Sequence, residues 1–434
     1  MSPATTGLIG MGVLFLFLAA RMPIGFAMAL VGFGGVSYLI GVKPALASLG
    51  FIPYSTAVNY TLSVVPLFLL MGQFAFFSGL SRDAYYAAHR WLGHLPGGLA
   101  MSTIGGCAAF AAVSGSSLAT AATMGVTALP EMRRYNYDPK LATGSIAAGG
   151  TLGILIPPSV AMVIYAILTE ESVGKLLIAG ILPGILLAFL FMLTIYIMAR
   201  RNPALGPRAP KTTFKEKLLA LKGAWGITLL FLLVMGGIYL GWFTPTEAAA
   251  VGALGSFLFV LAKRENTRKN IFESLRESGR VTAMIFAIII GAMVYNQFLA
   301  VTRLPFELAD WVAGLPLPRH GILVVILLIY IFLGMVMDTL AMILLTVPIV
   351  FPVVETLGFN LIWFGVIVVI MMEQALITPP IGMNVFVLAG VAKDVPMYTV
   401  FRGIVPFLIA MLIGLAIIVA FPQIATFLPN AMRG

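Results

Sequence analysis

Apolar runs recur along the whole chain, separated by short polar or basic stretches. After a first run from Pro3 to Ala20 they fall at about 22–40, 52–80, 97–130, 141–168, 175–199, 225–241, 245–262, 281–302, 321–357, 360–392 and 403–427. A helix needs about 20 apolar residues to cross the hydrocarbon core. The pattern therefore predicts an all-α polytopic membrane protein. No run alternates with period two over about ten residues, which argues against a transmembrane barrel. Arg21 follows the first run and no basic residue precedes it, the reverse of a cleavable signal peptide. That run is read as a retained helix with its N-terminus outside.

Two runs are too long for one crossing. Segments 97–130 and 321–357 would each reach roughly 50 Å or more as straight helices. Each carries a polar break near its middle, Ser114-Gly115-Ser116-Ser117 in one and Met337-Asp338-Thr339 in the other. They are expected to be two re-entrant helical hairpins. Two further runs, about 141–168 and 360–392, are interrupted by Pro157-Pro158 and Pro379-Pro380. Proline removes a backbone donor and clashes with the preceding turn, so these are expected to be broken helices with unwound middles.

The halves repeat. At an offset of 222 residues Pro23 meets Pro245, Ser116-Ser117-Leu118-Ala119 meets Asp338-Thr339-Leu340-Ala341, Pro130 meets Pro352, and the two Pro-Pro pairs coincide. With one inserted residue, Gly180-Ile181-Leu182-Pro183 meets Gly403-Ile404-Val405-Pro406. One offset across so many landmarks signals an internal repeat. The first repeat is taken as 1–199, a basic cytoplasmic linker as 200–224, and the second repeat as 225–434. Each half should cross five times, an odd number, so the repeats should be inverted.

Charge gives the orientation. With the N-terminus outside, only Lys43, Lys175, Arg303, Arg319 and Arg433 stay outside, leaving 21 of the 26 basic residues inside. That satisfies the positive-inside rule and puts both termini in the periplasm. The formal net charge of +10 is then a topology signal rather than a nucleic-acid footprint. Charged residues make up 10% of the chain and apolar residues 60%, which excludes a soluble enzyme. A single cysteine, Cys107, excludes an internal disulfide, and no Gly-rich loop ending in Gly-Lys-Ser/Thr is present for ATP.

Broken helices expose backbone groups at membrane depth, tolerated only against protein or a wet cavity. Half-helix termini then present carbonyls to cations and N–H donors to anions. At the first break Ser114, Ser116 and Ser117 add hydroxyls, and Gly115 permits a tight turn. Gly149, Gly150 and Thr151 precede the facing break. At the second, Asp338 brings a carboxylate and Thr339 a hydroxyl, with Thr378 and Asn384 flanking the facing break and Gly382 giving backbone access. These are hard oxygen ligands suited to a small monovalent cation. A Ser/Gly cluster alone is equally explained by helix packing; its match to Asp338-Thr339 favours a site. Asp338 is an ionisable residue within a span, with no basic residue in its hairpin to pair with. Glu373 either supports the ligands from behind or is an acid in a polar pocket. The loop at about 200–222 is read as a solvated face.

Gly149-Gly150-Thr151-Leu152-Gly153-Ile154-Leu155-Ile156-Pro157-Pro158-Ser159, the Ser-Gly-Ser-Ser turn and Thr378-Pro379-Pro380-Ile381-Gly382 together resemble the DctM-type large permease, the large membrane subunit of TRAP (tripartite ATP-independent periplasmic) transporters. The resemblance covers essentially the whole chain. It implies import of an organic acid, such as a C4-dicarboxylate or sialic acid, across the bacterial inner membrane, driven by Na+. A periplasmic solute-binding protein would deliver the substrate. A small four-helix membrane subunit of DctQ type would pair with this one as a separate chain. Transport would be of the elevator type. Carried onto this chain, one sodium site would involve Ser114, Gly115, Ser116, Gly149 and Gly150. The other would involve Asp338, Thr339, Thr378, Pro379 and Gly382. The carboxylate would lie between the tips, near Ser117, Ser159 and Asn384, with Thr151 and Glu373 behind the ligands. No cofactor is implied beyond the coupling ion.

Two alternatives within transport remain: a stand-alone carboxylate or ion antiporter of similar hairpin architecture, with coupling to protons as one option, and a channel. An intramembrane hydrolase fits poorly, because Asp338 has no second aspartate in a span.

Overall fold

The computed structural model describes residues 2–263, 267–335, 337 and 339–432; regular structure among them is entirely helical. α1 (Pro3–Ala19) is started by the Ser2 side chain, which accepts from the Thr5 amide, and α2 (Ile24–Leu39) begins after Pro23. α3 (Val42–Ala57) and a 3-10 turn (Tyr60–Ser63) lead into α4 (Val64–Phe77), and α5 (Leu80–Leu92) follows. The 97–130 segment is two helices, α6 (Gly98–Ser114) and α7 (Ser117–Arg134), which pack on each other across a two-residue turn. Gly115 takes the left-handed conformation that this turn needs, with φ +64°. The first broken helix is α8 (Pro139–Gly150), α9 (Leu152–Leu155) and α10 (Val160–Thr169), bent by 41° at the Pro-Pro break. α11 (Val173–Ala179) and α12 (Ile181–Arg201) end the half.

α13 (Phe214–Tyr239) is opened by a reciprocal cap between Thr213 and Glu216. α14 (Pro245–Lys263), α15 (Thr267–Thr302) and α16 (Leu304–Ala313) follow. α17 (Arg319–Gly334) and α18 (Thr339–Thr356) occupy the second expected hairpin, and α19 (Leu361–Ala375) and α20 (Met383–Val391) flank Pro379-Pro380. α21 (Met397–Ala420) and α22 (Gln423–Asn430) close the chain. Both Pro-Pro bonds are cis. Among the described residues seven helices are long and apolar enough to cross a membrane, or eight if the bent pair in α8–α10 counts as one span. The sequence suggested five crossings per half. The difference lies in helices such as α2, whose 16 residues reach only about 24 Å.

Helices approach closely where glycine removes the side chain. A Cβ added at Gly25 or Gly32 of α2 would lie 2.6 Å or 2.7 Å from the backbone of Ala287 or Val294 on α15. In lipid, association rests on such packing, because lipid tails are as apolar as leucine. Large apolar side chains such as Leu16, Phe26, Phe332 and Phe421 face outward, as a lipid-facing surface requires.

Two expectations about polar stretches change. Residues 267–280, expected as part of a loop, continue α15, because Ile271, Phe272 and Leu275 recur at helical spacing among the charges. The 200–222 segment is not simply a solvated face: its last part is the start of α13, and residues 205–212 are docked on the protein. The Gly97 amide donates to Gly206 O (3.0 Å), Asp138 N to Leu205 O (3.1 Å) and Ala209 N to Gly93 O (2.9 Å). Tyr137 hydroxyl donates to Pro207 O (2.9 Å) and accepts from Leu99 N (3.0 Å). Thr212 hydroxyl donates to Arg90 O (2.6 Å). The linker thus ties the entrance of α6 to the exit of α7.

Candidate functional site at the hairpin tips

The α6–α7 turn is held in place by glycine on both sides. Gly72 of α4 lets the Ser114 backbone approach, since a Cβ there would sit 2.6 Å from Ser114 O. Gly153 of α9 does the same on the opposite side, where a Cβ would lie 2.7 Å from Ser116 O and 2.8 Å from both Ser117 Cα and Thr120 Oγ1. Gly115 itself faces the Pro158 carbonyl. The first hairpin tip therefore rests directly on the first helix break.

Ser116 caps α7, its hydroxyl accepting from Ala119 N at 3.3 Å. Its carbonyl accepts from Thr120 hydroxyl at 2.8 Å, and Ser114 hydroxyl lies 3.4 Å from the same carbonyl. The hydroxyls of Ser114 and Thr120 thus gather at the Ser116 carbonyl. Ser117 is fully buried, and its hydroxyl donates to Glu373 Oε2 at 2.6 Å. This contact joins the first hairpin to the second broken helix. Glu373 is also fully buried, and its Oε1 has no partner among the described residues.

The two breaks meet as well. Asn384 of α20 donates through Nδ2 to Ala147 O of α8 at 3.2 Å, and its backbone N–H donates across the break to Leu376 O at 3.0 Å. The same Nδ2 would lie 3.1 Å from a Cβ at Gly150, so Gly150 makes room for it. Asn384 is buried, and its Oδ1 is unpartnered among the described residues. Gly149 instead packs against the Cys107 side chain of α6.

A cavity of about 300 Å³ lies at the tips. Of the expected residues, Gly115, Ser116, Ser117 and Thr339 line it. The two hairpins therefore face one space. Thr339 begins α18, is buried, and has a hydroxyl without a partner among the described residues. Across the cavity stand Gln73 of α4 and Met284 of α15. Asp338 lies outside the described residues.

Other expected residues are engaged locally. Thr151 hydroxyl donates to Ala148 O at 2.6 Å, capping α8. Ser159 is buried and caps α10, accepting from Met162 N at 3.3 Å. Thr378 hydroxyl donates to Gln374 O at 2.7 Å, which leaves its lone pairs available. Pro379 is exposed, and Gly382 caps α20 with φ +54°. Gln73 and Thr120 were not singled out from the sequence. An amide amid the apolar residues of α4 was the available signal for Gln73.

Comparison with known proteins gives a consistent answer. The family model described as "Tripartite ATP-independent periplasmic transporter, DctM component" matches residues 11–424. The C4-dicarboxylate TRAP transporter large permease protein DctM of Pseudomonas aeruginosa is 40% identical over 399 residues, covering 92% of each chain. The sialic acid TRAP transporter large permease protein SiaM of Vibrio cholerae is 33% identical over 431 residues, covering 98% of this chain and 97% of its own. Among solved structures, the YdaH transporter of Alcanivorax borkumensis shares the fold at a TM-score of 0.63 and 16% identity, over 89% of this chain and 90% of that one.

Proposed function

This chain belongs to the DctM-component family of tripartite ATP-independent periplasmic transporters, and from that premise we propose that it is the large permease subunit of a sodium-coupled importer of organic acids. The observation that carries the reading is the cavity shared by Gly115, Ser116, Ser117 and Thr339, set against two helix breaks. Half-helix ends at such a place are suited to bind both a cation and an anion. Carboxylate substrates are supported by the names of the relatives, which transport a C4-dicarboxylate and a sialic acid.

In this reading one sodium ion is held by Ser114, Gly115 and Ser116 with Gly149 and Gly150. A second is held by Asp338, Thr339, Thr378, Pro379 and Gly382. The oxygen-rich turn at Ser114–Thr120 and the free hydroxyl of Thr339 fit a hard cation. The acid lies between the tips near Ser117, Ser159 and Asn384. Sodium orders the tips and an ordered tip binds the acid, so the two bind with positive coupling. The hairpins and broken helices then move together as the elevator, relative to α2, α4, α14 and α15. "Tripartite" implies two further components, a periplasmic solute-binding protein and a small membrane subunit of four helices. The membrane is the bacterial inner membrane, with both termini periplasmic.

The test is uptake of labelled succinate and sialic acid into proteoliposomes holding this chain with its small subunit, with and without binding protein. Sodium-dependent, binding-protein-dependent uptake is expected. Equal uptake without the binding protein would instead favour a stand-alone carboxylate antiporter. Uptake driven equally by a proton gradient in potassium would sink the sodium assignment.

A further inference from the structure

Away from the hairpin tips, a recess of about 560 Å³ opens between α5 and the last turns of α7. It lies beside the docked linker, since Arg90 O and Gly93 O of the α5 end accept linker hydrogen bonds. We propose that this recess binds the phosphate headgroup of an anionic phospholipid through Arg82, Arg90 and Arg134.

Three guanidinium groups line the recess against one carboxylate, Glu131, for a formal excess of two positive charges. Two further basic residues are already engaged: Arg133 pairs with Asp394, and Lys263 with Asp83 at 2.9 Å. Among the described residues, neither Arg82 nor Arg134 forms an ion pair. Arg90 is pre-oriented. Its Nε donates to the Tyr86 hydroxyl at 2.9 Å, and its guanidinium lies 4.9 Å above the Tyr86 ring. Its terminal nitrogens remain for a ligand. A guanidinium fork matches phosphate oxygens two at a time and is weakly hydrated, so it suits a partly buried anion.

The back wall points the same way. Tyr85 is 4% exposed, and it lines the recess. His89 is fixed between the rings of Tyr85 and Tyr135, with centroids 6.1 Å and 6.3 Å away, and offers a ring nitrogen beside the arginines.

The rim favours a lipid over a soluble anion. Val126 of α7, which lines the recess, stands 66% exposed, and Tyr86 of α5 is also exposed. Apolar and amphipathic side chains around a basic pocket suit a headgroup whose acyl chains continue along the outer surface. α5 links α4 to α6, so a lipid seated here would bridge the first hairpin to the helix that leads into it.

The experiment uses the delipidated full-length chain in detergent and reads melting temperature. Dioleoyl phosphatidylglycerol, phosphatidylcholine and inorganic phosphate are titrated at matched ionic strength. The chain is compared with Arg82→Gln/Arg134→Gln and with Arg208→Gln/Lys211→Gln, two exposed linker positions on the same face. Phosphatidylglycerol should raise the melting temperature of the unsubstituted chain and phosphatidylcholine should not. The recess variant should weaken the half-saturating phosphatidylglycerol by at least about tenfold, and the linker variant by less than about twofold. Equal weakening in both variants would overturn the site in favour of diffuse surface charge. An equal shift with inorganic phosphate would overturn the lipid in favour of a soluble anion. Should the glutamine variant not fold, Arg134→Lys keeps the charge and loses the fork. It should show a partial loss, and an unchanged half-saturation would refute the site.

Discussion

Gly153→Ala tests the contact on which the first hairpin tip rests. The added methyl would start 2.7 Å from Ser116 O and 2.8 Å from Ser117 Cα, both parts of the backbone. Ordinary contact begins near 3.4 Å, so the tip and α9 must separate by about 0.7 Å. Overpacking of this kind costs about 1–3 kcal/mol, partly offset by up to about 1 kcal/mol of helix propensity from alanine. The displaced atoms are the carbonyl of Ser116 and the start of α7, which belong to the first proposed sodium site. If the strain falls on the sodium-bound arrangement, affinity should weaken by about 5- to 150-fold, the range of ordinary coupling energies. The assay is the sodium dependence of melting temperature at constant ionic strength, with sodium-dependent uptake measured alongside. Gly390→Ala serves as the control, because a Cβ there meets nothing within 4 Å. A well-folded Gly153→Ala protein whose sodium half-saturation stays within about twofold of the original would refute the proposed role of this tip in sodium binding.

Further outcomes are expected elsewhere. Ser117→Ala removes the partner of a buried carboxyl and should cost about 1–3 kcal/mol; a double-mutant cycle with Glu373→Gln should show coupling, and strict additivity would contradict a shared contact. Gln73→Leu should reduce uptake while leaving the sodium-dependent melting shift intact, and loss of that shift would place Gln73 with the cation instead. Arg133→Gln breaks a pair whose side chains are 47% and 63% exposed, so it should cost less than about 1 kcal/mol and should matter less still in high salt; a larger loss would mean the pair is not screened. Burial, reinforced by Arg90, holds His89 below its ordinary pKa. The unfolded chain then takes up this proton at higher pH than the folded one. His89 therefore adds stability above about pH 6.5 that is lost as pH falls. Replacing it with glutamine should flatten the decline in melting temperature of the lipid-free protein between about pH 7 and pH 5; an unaltered slope would discount the effect.

The breaks in the chain were legible because their chemistry is local. The Ser-Gly-Ser-Ser turn and the two Pro-Pro pairs interrupt apolar runs, and the structure turns or unwinds the chain at those residues. α3 was missed because Lys43, Pro44, Ser48 and Pro53 dilute its hydropathy while leaving helical bonding intact. α5 was missed because it is amphipathic, with its polar face bearing Arg82, Asp83 and Arg90. The Ser117–Glu373 contact spans 256 residues of sequence, and no local pattern reports such a pairing. The docking of the linker was equally hidden, because it rests largely on backbone amides and carbonyls, which every residue type shares.

That docked linker limits how the first hairpin can work. Its entrance at Gly97–Leu99 and its exit at Tyr137–Asp138 hang from residues 205–207 of one passing strand of chain. A hairpin stapled at its root cannot splay like a pair of tweezers. It can flex at the glycine-lined tip, or travel as a stiff paddle that carries its staple along. The segment joining the two halves is thus a poor place for an inserted tag or a cut, although its proline-rich, exposed composition advertises a tolerant loop. Insertions between residues 204 and 212 should disturb the hairpin as surely as changes made at its tip.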